Sequence, residues 1–250
     1  MGRLSFPTVK LRGHDVPRVM LGTSPFIAAG QFGRRAYEYY VRFVLNPANI
    51  VKIMEYCLNM GVTGIQALAY DFIVESILEA ARSTGVKPIV IGTVDPEDPR
   101  GSLDLLNRVE AIAALIHGSI TSSKMYGEIE RELKLIKDHG MIPGVALHRI
   151  DVLNELLDRF PDIEVVMAPV NYAGYMMGDR ENSLKILGSC GRFIIAKKVL
   201  AAGKLDVRRA LKYVFSIPYI KSVAVGVSSE REAEETFNTA YKVLIGQKPS

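Results

Sequence analysis

From residue 17 onward the chain repeats one pattern eight times: a short apolar run, then a longer stretch whose apolar residues recur every three or four positions. Short continuous apolar runs suit strands buried on both faces, and the 3.6-residue spacing suits helices with one buried face. Alternation of the two is the mark of parallel strands joined by crossover helices. The runs fall at 18–22, 63–68, 88–94, 110–116, 142–147, 164–169, 193–197 and 221–226. Eight such units predict a (β/α)8 TIM barrel, here expected to span 1–250 as one domain.

Punctuation between the runs agrees. Ile50, Ile53, Met54, Cys57 and Leu58 form one helical stripe; Leu153, Leu156, Leu157 and Phe160 form another. Gly61, Gly85 and Gly140 stand just past three helix ends, where a left-handed residue closes the last turn. Asp151 and Asp206 are positioned to cap helix N-termini. Before the first run, Thr8 to Leu11 and Val16-Pro17 flank Arg12-Gly13-His14-Asp15, predicting a hairpin that plugs one barrel end.

Composition narrows the function classes. At 250 residues and 48% hydrophobic the chain can bury a large core. Its 31 Lys and Arg are interspersed with 27 Asp and Glu, so the net charge of +4 forms no basic block of the kind that grips nucleic acid. Cys57 and Cys190 fit no metal-ligand spacing and predict reduced thiols. No apolar run reaches membrane-spanning length, and the N-terminus lacks a signal core. A cytoplasmic protein acting on a small molecule, with neither nucleic-acid nor membrane partner, is the expectation.

Candidate site residues gather at strand ends, because barrel enzymes keep their sites at the C-terminal face. His117 ends the fourth run, and His148-Arg149 the fifth. Lys197 and Lys198 end the seventh; adjacent strand residues point oppositely, so one of them should face the mouth. A lysine there could pair with an anion, acidify Tyr70, or form a Schiff base if burial lowered its pKa. Asp71 and Asp95 follow the second and third runs; with the two histidines they offer nitrogen and oxygen ligands, but no tight ligand spacing supports a metal. Asn171 to Gly178 reads either as a pocket wall or as a packed loop. Residues 24–47 are too many for an ordinary connection and carry eight Phe, Tyr and Arg side chains from Phe32 to Phe43, fitting either a lid or an extra helix on the barrel flank. In the last unit Gly226 precedes Ser228-Ser229 and Glu232, an S-x-x-E capping box; its exposed amides could receive a phosphate or could simply start a helix.

Several of these pieces, in their order and spacing, are similar to the aldo-keto reductase family of (β/α)8 barrels. They are the N-terminal hairpin with Val19 to Thr23, Leu115-Ile116-His117, Pro143-Gly144-Val145 with the Asp151 to Leu157 stretch, Val170-Asn171-Tyr172, Ala196 to Leu205, and Ala224-Val225-Gly226 with its helix. The resemblance implies carbonyl reduction with NADP or NAD, a Tyr proton donor tuned by Lys and Asp, and a His that orients the carbonyl. His117 matches that histidine. Elsewhere the chain departs: Gln66 stands at the Asp position, Val94 at the Lys, and Tyr70 falls one residue short of the tyrosine. Among the nicotinamide contacts, Ala146-Leu147 replace a Ser-Asn pair, Pro169 a Gln and Lys197 a stacking aromatic. At the adenosine end Gly226, Ser229, Glu234 and Glu235 resemble the pattern, while Ser228 replaces the 2′-phosphate cation, with Arg231 a nearby substitute.

The resulting expectation is an aldo-keto-reductase-like oxidoreductase of small carbonyl compounds, with His117, Tyr70, Lys197 and Asp95 as catalytic residues. Gly226, Ser228, Ser229 and Arg231 are the expected cofactor-binding residues, and no metal is expected. The alternative is a barrel of the same fold that has lost hydride transfer, working as a lyase, isomerase or hydrolase, or as a protein that binds a phosphate ligand.

Overall fold

The structure, a computed structural model, describes residues 3–246. An antiparallel hairpin of β1 (Thr8–Leu11) and β2 (His14–Pro17) precedes eight parallel strands. These are β3 (Val19–Gly22), β4 (Gly64–Leu68), β5 (Ile89–Thr93), β6 (Ala113–Ile116), β7 (Ile142–Ala146), β8 (Val165–Pro169), β9 (Phe193–Lys197) and β10 (Ile220–Val225). Each pairs with its sequence neighbour, and β10 returns to β3 with Val223 opposite Val19, closing a (β/α)8 barrel. All eight expected runs became strands; none of their ends moved by more than three residues.

The apolar residues separate into two layers. An inner layer of Met20, Ile91, Leu115, Val165 and Ile195 fills the barrel, and Leu11 and Val16 of the hairpin join it, so the hairpin does seal one end. An outer layer lies between strands and helices. There α2 (Ala48–Met60) buries the whole stripe Ile50, Ile53, Met54, Cys57 and Leu58, while α7 (Leu153–Arg159) buries Leu153 and Leu156. The remaining helices are α1 (Arg35–Tyr39), α3 (Asp71–Thr84), α4 (Pro99–Arg108), α5 (Gly118–Ser122), α6 (Tyr126–Asp138), α8 (Arg180–Ser189), α9 (Val207–Phe215) and α10 (Glu230–Ile245). Among the described residues no helix is long and apolar enough to cross a membrane. Both cysteines are free thiols.

Gly61, Gly85 and Gly140 all adopt positive φ after their helices. Asp206 caps α9, accepting from the Arg209 amide at 2.8 Å. Two local expectations need correction. Asp151 caps nothing; it pairs with Arg149 at 2.5 Å, and the N-cap position of α7 falls to Val152, which offers no side-chain cap. The hairpin turn is only Arg12-Gly13, with φ of 44° and 87°, so His14 and Asp15 belong to β2. Two consecutive left-handed residues make the primed turn whose twist matches paired strands, and this lets Leu11 pair with His14.

Gly61 has a second constraint. Its φ is +101°, and a methyl group there would collide with the Leu4 carbonyl, because the N-terminal segment runs across the end of α2. Gly85, at φ +67°, has open space around it. Gly85→Ala should therefore cost roughly 1 kcal/mol for its backbone alone, and Gly61→Ala at least about 3 kcal/mol once the collision is added. Urea unfolding of the two variants checks the difference.

A buried carboxylate on α6 gives the fold a pH signature. Glu132 is 2% exposed, faces the core beside Ile129, Leu133 and Ile136, and leaves Oε2 without a partner among the described residues. Burial pushes its pKa from 4.5 up to about 7. The native state then holds this proton at pH values where the unfolded chain has lost it, so stability falls as pH rises through that window. We expect the parent to lose about 1–3 kcal/mol between pH 4.5 and 7.5 from this group, and Glu132→Gln to abolish that slope. Unfolding free energies measured across the window decide it.

Candidate functional site

Side chains alternate in and out along a strand, so the phase that fills the barrel also decides what reaches its mouth. On β9, Ile195 lies inside, and Lys197 two residues later shares its phase. The same count turns Gln66 and Met167, in the middle of β4 and β8, and Thr93, at the end of β5, into the barrel. One step past β6 and β7 it delivers His117 and His148. All six line a single cavity of about 370 Å³.

The polar groups in this cavity are arranged around Lys197. Its ammonium has no acceptor within hydrogen-bond distance among the described residues, and burial, reinforced by the charge of Lys198, lowers its pKa to about 7. His117 caps α5: its Nδ1 accepts from the Ser119 amide at 3.2 Å and lies 2.8 Å from Ser119 Oγ. An accepting Nδ1 leaves the proton of the neutral ring on Nε2. The ring of His148 stands edge-on to His117, centroids 5.5 Å apart, over Gly118, where a methyl group would lie 2.7 Å from the His148 ring. Burial and the charge of Lys197 hold both imidazoles below their ordinary pKa. Gln66 donates to Thr93 Oγ1 at 3.0 Å, so the position that carries an acid in the resembled family is held by a neutral amide pair.

Residues 24–47 form the roof. They fold as a short turn at Gly30–Phe32, then α1, then a wide helical turn at Tyr40–Val44. Phe26 and Phe43 are fully buried with ring centroids 5.1 Å apart, and Phe32 meets Tyr39 at 5.0 Å. Both sequence alternatives thus hold in part: the aromatics pack as a covering helix would, and Ile27, Gln31, Phe32 and Arg35 line the cavity. Two ties bind the roof to the loop after β9. Lys198 Nζ donates to Gln31 Oε1, and Arg35 donates to the Ala202 carbonyl. That loop is strained: Lys198, Ala201 and Ala202 have φ of 56°, 46° and 60°. The turn at Lys198 overrides the strand alternation, so both lysines line the cavity where one was expected.

Other expected residues lie elsewhere. Tyr70 begins α3 outside the cavity lining, stacked on Phe72 at 6.1 Å, and burial together with the negative charge of Asp95 raises its pKa. A tyrosine outside the lining whose pKa is raised, with no lysine lowering it, is unsuited to the expected role of proton donor. Asp95 serves the turn after β5, its Oδ1 accepting from the Glu97 amide at 3.1 Å, and it also lies outside the lining. The loop 171–178 is packed: Asn171 bonds Tyr175 on both sides of its amide and the Lys198 carbonyl at 3.3 Å. Among the described residues no group of three or more His, Cys, Asp or Glu is placed to hold a metal.

The α10 end departs from the expected anion site. Ser229 caps the helix, its Oγ accepting from the Glu232 amide at 3.1 Å. The return arm of the box, however, falls one residue early: Glu232 takes both the Ser228 amide at 2.7 Å and the Ser228 hydroxyl at 2.8 Å. Of the two amides expected to receive a phosphate, that of Ser228 already holds a carboxylate. Gly226 lines the cavity, and a methyl there would sit 2.6 Å from Pro25 Cδ, so its smallness serves the packing of the loop after β3. Arg231 is exposed and outside the lining.

Sequence reasoning passed over Gln31 and Thr93, and saw Arg35 only as part of a basic and aromatic stretch; all three line the cavity. Thr93 was legible from the alternation that places Ile91 inside. Gln31 and Arg35 carried no local signal, since their partners lie 167 positions away.

No protein-family model and no curated protein matches the sequence. Solved structures do. The chain superimposes on an aldo-keto reductase from Bacillus halodurans in its holo form with TM-score 0.69, 14% identity, and coverage of 98% of this chain and 93% of that one. A Pseudomonas aeruginosa protein assigned to the aldo-keto reductases gives 0.67, 19%, 93% and 92%. An aldo/keto reductase from Klebsiella pneumoniae in complex with NADP and acetate gives 0.65, 15%, 94% and 90%. At these identities the likeness is one of fold: the barrel resembles those of the aldo-keto reductases over nearly its whole length.

Proposed function

We propose that this chain is an enzyme that binds a small carbonyl compound in the barrel mouth and acts on it by proton chemistry, with His117 directing Nε2–H at the carbonyl oxygen. Of the two function classes drawn from the sequence, the reductase reading names that substrate, and the reading without hydride transfer is narrowed to it here. The reductase reading is supported by the shared fold, by the NADP held in the Klebsiella structure, and by a cavity that runs on to Ser228 at the start of α10. The reading without hydride transfer is favoured by one observation: the cavity contains Lys197, His117 and His148, whereas Tyr70 lies outside its lining.

The adenosine end also fits NADP poorly. A 2′-phosphate placed there would find the Ser228 donors taken and two carboxylates, Glu232 and Glu235, lining the same end. Uncompensated like charges in a partly enclosed site repel by more than the hydrogen bonds they displace would return. No step of the proposed chemistry is therefore routed through the cofactor. When present in a barrel of this kind a nicotinamide supplies hydride; the residues here supply a donor at His117 Nε2, an amine at Lys197 and the roof that excludes water.

Titration with NADPH and NADH tests the choice. We expect Kd values of hundreds of micromolar or weaker, because each missing contact costs on the order of 1 kcal/mol. Glu232→Gln should tighten NADPH by roughly tenfold by removing a charge beside the phosphate. Submicromolar NADPH binding by the parent, or no gain in the variant, would overturn the reading of this end.

A further inference from the structure

The geometry points to Lys197 as a nucleophile that condenses with a small aldehyde or ketone carrying an anionic group, forming an imine in the barrel mouth. This rests on the carbonyl reading above and deepens it.

The placement of Lys197 sets it apart from the surface lysines. Lys10, Lys87, Lys124, Lys134 and Lys137 each meet a carboxylate within 2.8 Å, and Lys52, Lys212 and Lys242, which meet none among the described residues, stand exposed in solvent. Lys197 is held inside the cavity by the inward phase of β9, with no acceptor among the described residues. An ammonium without a counter-ion in an enclosed site gives up its proton readily, in keeping with its pKa near 7, and the neutral amine is the nucleophilic form. A lysine kept there for structure alone would be expected to have an acidic partner.

The anionic group follows from the charges around it. Lys198 and Arg35 line the same cavity, and their hydrogen-bond partners are neutral oxygens, Gln31 Oε1 and the Ala202 carbonyl. Neither forms an ion pair among the described residues. The acids that line the cavity, Glu232 and Glu235, belong to the α10 end. A carboxylate or phosphate on the substrate would find its counter-charge in the unpaired cations Lys198 and Arg35.

The chemistry is balanced without an oxidant or reductant. The Nζ lone pair forms a bond to the carbonyl carbon as the π pair moves to oxygen, which takes a proton from His117 Nε2; the proton shed by nitrogen restores the imidazole. The restored imidazole then protonates that hydroxyl, the C–O bond breaks as water leaves, the nitrogen lone pair closes the carbon–nitrogen double bond, and the remaining N–H proton returns to the imidazole. Amine and carbonyl become imine and water.

Trapping tests it. The full-length protein is incubated with pyruvate and sodium cyanoborohydride, then examined by intact mass and peptide mapping. We expect one reduced adduct per chain, on Lys197, and at least tenfold less labelling with acetone in place of pyruvate. Lys197→Met and Lys197→Arg, checked by circular dichroism for the parent fold, should lose the adduct; Arg35→Met should lower pyruvate labelling several-fold more than acetone labelling. Pyruvate binding, followed by the imidazole resonances of His117 and His148, separates the two claims. If pyruvate perturbs those resonances but the label spreads over surface lysines or survives in Lys197→Met, the imine is wrong and the carbonyl site stands. If pyruvate and a panel of small aldehydes, glyoxylate among them, neither perturb the histidines nor label Lys197, both fail.

Discussion

The period-two alternation of a closed barrel is the constraint from which the rest of this molecule follows. Eight strands cannot change their phase without exposing the inner layer of Met20, Ile91, Leu115, Val165 and Ile195. Core packing therefore fixes which side chains arrive at the mouth. It brings Lys197, Gln66, Thr93 and Met167 inward and leaves Ala196 against the outer helices. The chemistry of the site is a by-product of a register that the hydrophobic core enforces.

That dependence explains how far the residues alone could be read. The strands and their order were legible because β-rich apolar runs are short, repeated and separated by helical stripes, and the stripe on α2 was buried as spaced. His117, Lys197 and His148 were legible because they extend the strand phase. Tyr70 and Asp95 were misread for the same reason: they extend it on paper, but the chain has already turned, Tyr70 into the start of α3 and Asp95 into its own turn. The roof could not be read at all beyond its aromatic content. Its contacts to the cavity pass through Gln31 and Arg35, whose partners are remote in sequence.

The α10 end shows a different kind of failure. Ser228, Ser229 and Glu232 sit four residues apart or less, and the cap was correctly seen, yet its consequence was reversed. A helix N-terminus attracts negative charge from any source. Here the nearest source is the helix itself, and Glu232 satisfies the Ser228 amide before a ligand arrives. Lys197, Lys198 and Arg35 share the cavity with Glu232 and Glu235 of α10, so its lining carries charges of both signs. The shared backbone of the barrel says nothing of this; the side chains do.

The strained loop after β9 gives the site a mechanical character. Lys198, Ala201 and Ala202 hold left-handed backbone conformations that cost side-chain-bearing residues of order 1 kcal/mol each or more, and Asn171, Gln31 and Arg35 clasp them there. The outer barrel has no part in that clasp. Loosening the roof would let the loop relax to ordinary backbone angles while every strand stayed paired, so the shape of the cavity is a spring held by three latches, and it can be lost without the fold being lost.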